Sequence, residues 1–266
     1  MRHHGLAWWM GAALGTATVV LLAGWFSLSS AAAKDAHADS RRPVLVELFT
    51  SEGCSSCPPA DTLLAALDAT QPIANADVIV LSEHVTYWDH EGWRDPYSLD
   101  AVTDRQKWYD DQFGQSQVFT PQAVVDGAVQ VLGSDEQKVT QAISAAAANP
   151  MEDLVIENST WTGDGVSFTV RHGDWVAGKQ KLQLLAVLAQ DETVTSVKTG
   201  ENAGKTLRNV AVARTLKELN PAMEGMQTLK LPGEDKRATG PLRLVVIVAD
   251  KHSGHVLGVA ERIVAR

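Results

Sequence analysis

The sequence predicts an α/β domain over residues 43–150 followed by a β-rich, sandwich-like domain over residues 151–266. In the first half, apolar runs typical of strands alternate with segments whose apolar residues recur at helical spacing. From residue 154 onward, short runs of β-forming residues are separated by turn residues. The chain has 266 residues, which exceeds the commonest domain size, so two domains are expected.

The first 38 residues are expected to serve export rather than to join the fold. Residues 5–33 contain no charged side chain and include an apolar run that follows Arg2. Small-residue cleavage patterns favour a signal peptide, while the length of the apolar run leaves a membrane anchor as the alternative. Both alternatives place the remaining chain outside the cytoplasm. A cleaved signal peptide would leave it periplasmic or secreted, and an uncleaved anchor would attach it to the inner membrane. The formal net charge of −9 argues against a nucleic-acid partner.

Both cysteines of the chain, Cys54 and Cys57, lie in a C-x-x-C motif. The strand-like residues 43–50 precede the motif, and a helical pattern with prolines in its first turn follows it. Asp61 falls near the positive end of that helix. Strand, C-x-x-C turn and helix is the order of thioredoxin-like redox sites, where the helix start stabilises a thiolate. Thiol–disulfide exchange is therefore the leading hypothesis.

The elements that follow the motif have an order that favours the same fold. A second strand ends at His84, and an aromatic loop over residues 84–96 follows it. A helix is expected to begin at Asp95-Pro96 and to run to about Phe113. A hairpin around Asp126-Gly127 and a helix from residue 134 complete the domain. Strand, helix, strand, helix, hairpin and helix is the order of the thioredoxin fold.

Three motifs carry a resemblance to a known family: residues 50–61, residues 84–96 and residues 120–127. Together they resemble the secreted bacterial family called domain of unknown function 1223, whose core is similar to thioredoxin. The resemblance implies that Cys54 is the attacking cysteine, Cys57 the resolving cysteine and Pro121 a cis-proline that faces their disulfide. The family has no established substrate, so a protein thiol or disulfide client as partner, with no cofactor, follows from the exchange hypothesis alone. Gly53 before Cys54 and the pair Ser55-Ser56 depart from thioredoxin, so the direction of electron flow is not implied.

Two other roles for the cysteines stay open. They could form a structural disulfide, although a bridge that closes so few residues restrains the unfolded chain little. They could also bind copper or zinc together with a histidine, either His84 or His90, in a metal-delivery or redox-switched binding protein. His84 is the better candidate because it ends a strand at the same predicted edge as Cys54.

The second half shows six strand-like segments and one long insertion. The insertion, residues 199–214, lacks the glycine and lysine spacing of a phosphate-binding loop, and it is expected to be a cover loop or a strand of the sandwich. The chain also lacks a nucleophile-elbow motif, which argues against a hydrolase. The six predicted strands cover residues 154–161, 165–172, 182–189, 227–231, 242–249 and 255–264.

Overall fold

One mixed sheet of eight strands runs through both halves of the part of the chain that the structure describes. The computed structural model describes residues 41–173, 181–220, 225–231 and 240–265. The strands are β1 (Arg42–Thr50), β2 (Ala76–His84), β3 (Gln122–Val125), β4 (Val129–Leu132), β5 (Leu154–Trp161), β6 (Gly165–His172), β7 (Leu182–Ser196), β8 (Thr206–Leu219), β9 (Gln227–Lys230), β10 (Leu242–Asp250) and β11 (Val256–Val264). The helices are α1 (Pro58–Thr70), α2 (Asp100–Gln112) and α3 (Glu136–Ala147), with a 3-10 turn at Thr86–Trp88.

The predicted fold class, an α/β thioredoxin-like domain followed by a β-rich sandwich-like domain, is wrong. The eight-stranded sheet has the order β11-β10-β7-β8-β2-β1-β3-β4, so strands of the second half continue the sheet of the first. The junction is the parallel pairing of β2 with β8, where Ser82 lies opposite Val212. Strand β2 is buried along its length and would otherwise leave an open backbone edge, which β8 covers. Sequence periodicity predicts the faces of a strand but not its neighbours.

The predicted strands of the second half are present, with two differences. Strand β7 continues seven residues beyond the predicted end, to Ser196. Most of the segment predicted as a cover loop or sandwich strand is β8, which belongs to the main sheet. Strands β5, β6 and β9 form a separate three-stranded sheet, and its apolar residues share one core cluster with β7, β10 and β11.

The strand–helix–strand unit around the cysteines is confirmed. Strands β1 and β2 are parallel neighbours, and their last residues, Thr50 and His84, lie opposite each other. Between them, α1 begins with two prolines and buries Leu64 and Leu67. Because the missing proline N–H groups fall in the first turn, they leave no hydrogen bond of the helix unmade.

The predicted start of the second helix is wrong by about five residues. Helix α2 begins at Asp100, and Leu99 rather than Asp95 is its N-cap. The Asp95 carboxylate instead accepts hydrogen bonds from the backbone N–H groups of Glu52 and Tyr97 and contacts His84. An acidic residue followed by proline is a helix-start signal only when its side chain caps that helix.

The segment that leads to β3 and the β3–β4 turn matches the sequence prediction. The Thr120–Pro121 peptide bond is cis. Asp126 and Gly127 both have positive φ, as the tight hairpin turn requires. Gly127 also has no room for a side chain, because a Cβ there would lie 1.9 Å from the carbonyl oxygen of Gly254. The β3–β4 turn therefore packs closely against the β10–β11 turn at Gly127 and Gly254.

The sheet separates two parts of the core. On one face, residues of β1 and β2 such as Phe49 and Leu81 pack with α2 and with β7 and β10. On the other face, residues such as Leu48 and Val80 pack with α1 and α3. Since side chains alternate along a strand, Thr50 and His84 belong to the α1 face.

Two predictions from the sequence, the export segment and the domain boundary, are not tested by the described residues. The export segment, residues 1–38, lies outside the described residues. Among the residues that are described, none belongs to a helix with the length and hydropathy needed to cross a membrane. The division at residue 150 into two domains stays a prediction.

Candidate functional site

The two cysteines form a disulfide at the start of α1. The Sγ atoms of Cys54 and Cys57 are 2.11 Å apart, and Cys57 is the N-cap of the helix. Both cysteines are 0% exposed, whereas Ser55 and Ser56 between them are exposed to solvent. A reaction partner that approaches the turn from solvent therefore meets the serines before either sulfur.

Two hydroxyl groups contact the sulfur of Cys54. The hydroxyl of Thr120 donates to Cys54 Sγ at 3.4 Å, and the hydroxyl of Ser56 lies 3.4 Å from the same atom. The indole N–H of Trp88 donates to Thr120 Oγ1 at 2.8 Å, which orients the threonine hydroxyl toward the sulfur. Thr120 precedes Pro121, so the residue before the predicted cis-proline lies beside the disulfide. The role of Pro121 itself stays a prediction.

The turn between β7 and β8, residues 197–205, covers the site from the second half of the chain. We call this segment the β7–β8 tip. Asn202 is 0% exposed, and its amide donates to the carbonyl oxygens of Glu52 at 2.8 Å and Cys54 at 2.9 Å. The tip therefore contacts the same backbone turn that carries the disulfide.

A group of buried titratable side chains lies beside the helix start, and we call it the carboxylate–histidine cluster: Glu52, Asp61, His84 and Asp95. His84 Nδ1 lies 2.7 Å from Asp95 Oδ2, and both residues are buried. Asp61 accepts a hydrogen bond from the hydroxyl of Thr50 at 2.8 Å. Three carboxyl groups thus share one enclosed region with a single imidazole.

Burial and mutual charge shift the protonation equilibria within this cluster. Burial raises the pKa of Asp61 from 3.8 to about 6, although the nearby His84 acts against this shift. Burial, with a contribution from the charge of Asp95, also raises the pKa of Glu52. Burial by itself lowers the pKa of His84, but the charge and hydrogen bond of Asp95 outweigh it and raise that pKa. For Asp95, burial acts upward, and the contact with His84 brings the pKa below its usual value.

The metal-binding alternative depends on His84, because His90 is exposed on the following loop. One ring nitrogen of His84 is occupied by Asp95, and the other, Nε2, is buried and has no hydrogen-bond partner in the described part of the chain. Within that same part, no group of three or more histidine, cysteine or acidic side chains is placed to hold a metal ion. A copper or zinc site at Cys54, Cys57 and His84 stays a prediction.

Sequence reasoning missed three residues of this region. The sequence pattern places Asp61 only near the positive end of the helix, although an acid four residues after Cys57 on an apolar helix face indicates a buried group near the cysteine. The Asp95-Pro96 pattern predicts a helix start at Asp95, whereas the partner of its carboxylate, His84, lies across a loop. Asn202 gave no local signal, because it reaches the disulfide only through the long β7–β8 hairpin.

Fold and site together define a β-rich protein with a shielded C-x-x-C disulfide at a helix start. A family model described as "Protein of unknown function (DUF1223)" matches residues 45–249, and the chain belongs to that family. This confirms the resemblance found in the sequence.

Among solved structures, an X-ray crystal structure of an Agrobacterium tumefaciens protein is similar to this chain. The two sequences are 27% identical, and the TM-score is 0.57. The match covers 83% of this chain and 92% of the other. No curated protein matches the sequence.

Proposed function

We propose that the protein is an exported thiol–disulfide exchange protein that acts on protein disulfides or dithiols in the periplasm or after secretion. The observation that carries this proposal is the set of donors around Cys54 Sγ at the start of α1. The hydroxyls of Thr120 and Ser56 and the positive end of the helix would all stabilise a thiolate on Cys54. A bridge with a purely structural role has no need of such donors.

The proposed exchange proceeds in two thiol–disulfide steps through a mixed disulfide between Cys54 and the client. A thiolate of the client attacks Cys54 Sγ, a bond forms between the two sulfurs, and the bond to Cys57 breaks. The electron pair passes to Cys57 Sγ, which takes up a proton from solvent. A second client thiolate then attacks the client sulfur of the mixed disulfide and releases Cys54 as a thiolate. The client dithiol is oxidised and the protein disulfide is reduced; the reverse sequence reduces a client disulfide.

In the reverse direction, Cys57 resolves the mixed disulfide. Its position at the N-cap of α1, 5.4 Å between Cα atoms from Cys54, keeps the two sulfurs within bonding reach. Asp61 lies one helical turn further along α1. Its raised pKa lets its carboxyl group bind or release a proton near neutral pH beside the reacting pair.

Trapping of mixed disulfides tests this proposal. In a Cys57→Ser variant the resolving thiol is gone, so Cys54 should accumulate covalent adducts with client proteins that reducing agent releases. The adducts are separated by non-reducing electrophoresis, and the captured clients are identified by mass spectrometry.

The matched controls are Cys54→Ser, which retains one thiol at the other position, and the double serine variant. Adducts that form equally with Cys54→Ser would contradict the assigned roles of the two cysteines. The absence of adducts from Cys57→Ser, in cells in which the variant is exported and folded, would contradict the exchange function itself.

A further inference from the structure

The β7–β8 tip is a structured turn rather than a loose connection. Backbone hydrogen bonds join Val197 N–H to Lys205 O at 3.0 Å and Gly204 N–H to Val197 O at 2.9 Å. Gly200 has a φ of +76°, and a Cβ at this position would lie 3.1 Å from Trp93 Cβ. The close approach fixes the tip against the loop that carries Trp93.

Asn202 connects this tip to the C-x-x-C turn. Its side-chain N–H groups both donate, one to Glu52 O and one to Cys54 O, and its Oδ1 accepts from the ammonium group of Lys205 at 2.9 Å. The carbonyl of Cys54 also accepts from Cys57 N–H at 3.2 Å. Asn202 thus completes the hydrogen bonds of the backbone that positions both sulfurs.

The other links between the tip and the site are more exposed. The Glu201 carboxylate accepts from Ser55 N–H at 3.1 Å, and the Thr199 hydroxyl donates to Gly92 O at 2.6 Å. Both side chains are open to solvent, where water replaces a lost hydrogen bond at little cost. Asn202 is buried, so its two bonds have no such replacement and hold the tip in place.

We propose that Asn202 restricts access to the disulfide for exchange at Cys54. It holds the β7–β8 tip over the disulfide, and a client reaches Cys54 Sγ only when these two hydrogen bonds open. This inference rests on the proposed exchange function, and it adds that the second half of the chain controls the rate of access to the disulfide of the first half.

Reduction by a small phosphine tests the inference without a client. Tris(2-carboxyethyl)phosphine attacks a disulfide directly and, with water, yields two thiols and the phosphine oxide. We expect an Asn202→Ala variant to be reduced about 10- to 100-fold faster than the wild type, because it lacks both bonds to the turn. Asn149→Ala, at an exposed asparagine beyond the end of α3, is the matched control and should react at the wild-type rate.

A comparison of rate with equilibrium distinguishes access from simple stabilisation. Asn202 binds the backbone carbonyls of the C-x-x-C turn rather than a sulfur atom, so the loss of these bonds should speed reduction and reoxidation alike. The equilibrium constant with glutathione should then change less than threefold in Asn202→Ala. An unchanged phosphine rate, or a change in the equilibrium constant without a change in rate, would overturn the proposal.

A second variant keeps the inference testable if Asn202→Ala does not fold. Asn202→Asp retains the size of the side chain but presents oxygen atoms to both carbonyls, so it should also accelerate reduction at least tenfold. Folding of each variant is verified by circular dichroism before the rates are compared. Because no client enters the assay, its outcome is separate from that of the trapping experiment: adducts without an access effect refute the role of Asn202 alone.

Discussion

Two buried polar clusters lie on opposite faces of β1 and β2, and they differ in the groups that contact their carboxylates. On the α2 face, the guanidinium of Arg105 binds both carboxylate oxygens of Glu47, and the hydroxyl of Tyr109 donates to Glu47 at 2.6 Å. We call these residues, with Glu83, the arginine cluster. On the α1 face, the contacts within the carboxylate–histidine cluster come from an imidazole, hydroxyl, indole and backbone groups.

The difference concerns which charges can change near neutral pH. Burial acts to lower the pKa of Arg105, but the charge of Glu47 outweighs it and raises the pKa further, so the guanidinium stays charged. The carboxyl of Glu83 has no hydrogen-bond partner for either oxygen among the described residues, and burial raises its pKa well above the usual value. The arginine cluster therefore holds a fixed charge that supports the core, whereas Asp61 and His84 can exchange protons beside the disulfide.

The largest effect should come from removal of the fixed charge. Arg105→Met leaves Glu47 buried without its cation, and we expect a loss of about 3–5 kcal/mol in the free energy of unfolding, measured with urea at pH 7. Lys107→Met is the control on the same helix, because Lys107 forms an exposed ion pair with Asp104, and it should cost less than about 1 kcal/mol. Equal losses in the two variants would show that the arginine cluster does not support the fold.

A pH-dependent effect should distinguish the carboxylate–histidine cluster. Because the folded protein raises the pKa of Asp61 from 3.8 to about 6, the native state binds this proton more tightly than the unfolded state. The resulting stability is complete below pH 3.8 and is lost as the pH rises through 6. Asp61→Asn cannot ionise, so its stability relative to the wild type should rise by about 2–3 kcal/mol between pH 4 and pH 7.

Urea unfolding at several pH values measures this difference. Asp104→Asn, at an exposed position of α2, is the control and should give a difference that changes little with pH. A pH-independent difference for Asp61→Asn would mean that Asp61 titrates as in the unfolded chain, and the contrast between the two clusters would fail.

A smaller effect should come from the indole that contacts Glu52. Trp93→Phe removes the N–H that donates to Glu52 Oε2 at 3.0 Å and should cost about 1–2 kcal/mol at pH 7, where the carboxyl is more ionised than at pH 4. Tyr87→Phe removes a comparable hydrogen bond to Gln106, which carries no charge. Its cost, from the same urea titrations, should be the same at both pH values. A pH-independent cost in both variants would exclude Glu52 from the titrating group.

Local features of the site could be predicted from the sequence because they depend on neighbouring residues. The apolar run before Cys54, the prolines after Cys57 and the turn residues Asp126 and Gly127 each determine a backbone conformation over a few positions. Such signals identified the strand, the helix start and the hairpin. The cis bond at Pro121 follows from the family resemblance rather than from local residue patterns.

Features that join distant segments could not be predicted in this way. The fold class was wrong because one contact, β2 with β8, merges the two halves into a sheet, and hydrophobic periodicity is the same whether a strand pairs within its own half or outside it. Asn202 shows the same limit, since an asparagine between two glycines indicates only a turn. Asn202 contacts the C-x-x-C turn because the long β7–β8 hairpin carries it there.

The pairing of β2 with β8 also determines when the chain can finish folding. Strand β8 begins about 120 residues after β2 ends, so one edge of β2 has no partner while the intervening chain is made. Contacts this distant in sequence slow folding, and an uncovered strand edge invites pairing with other chains. A growing chain that carries only the first half thus exposes the unpaired backbone edge of β2. Release of this chain before residue 206 should yield aggregates rather than a folded domain.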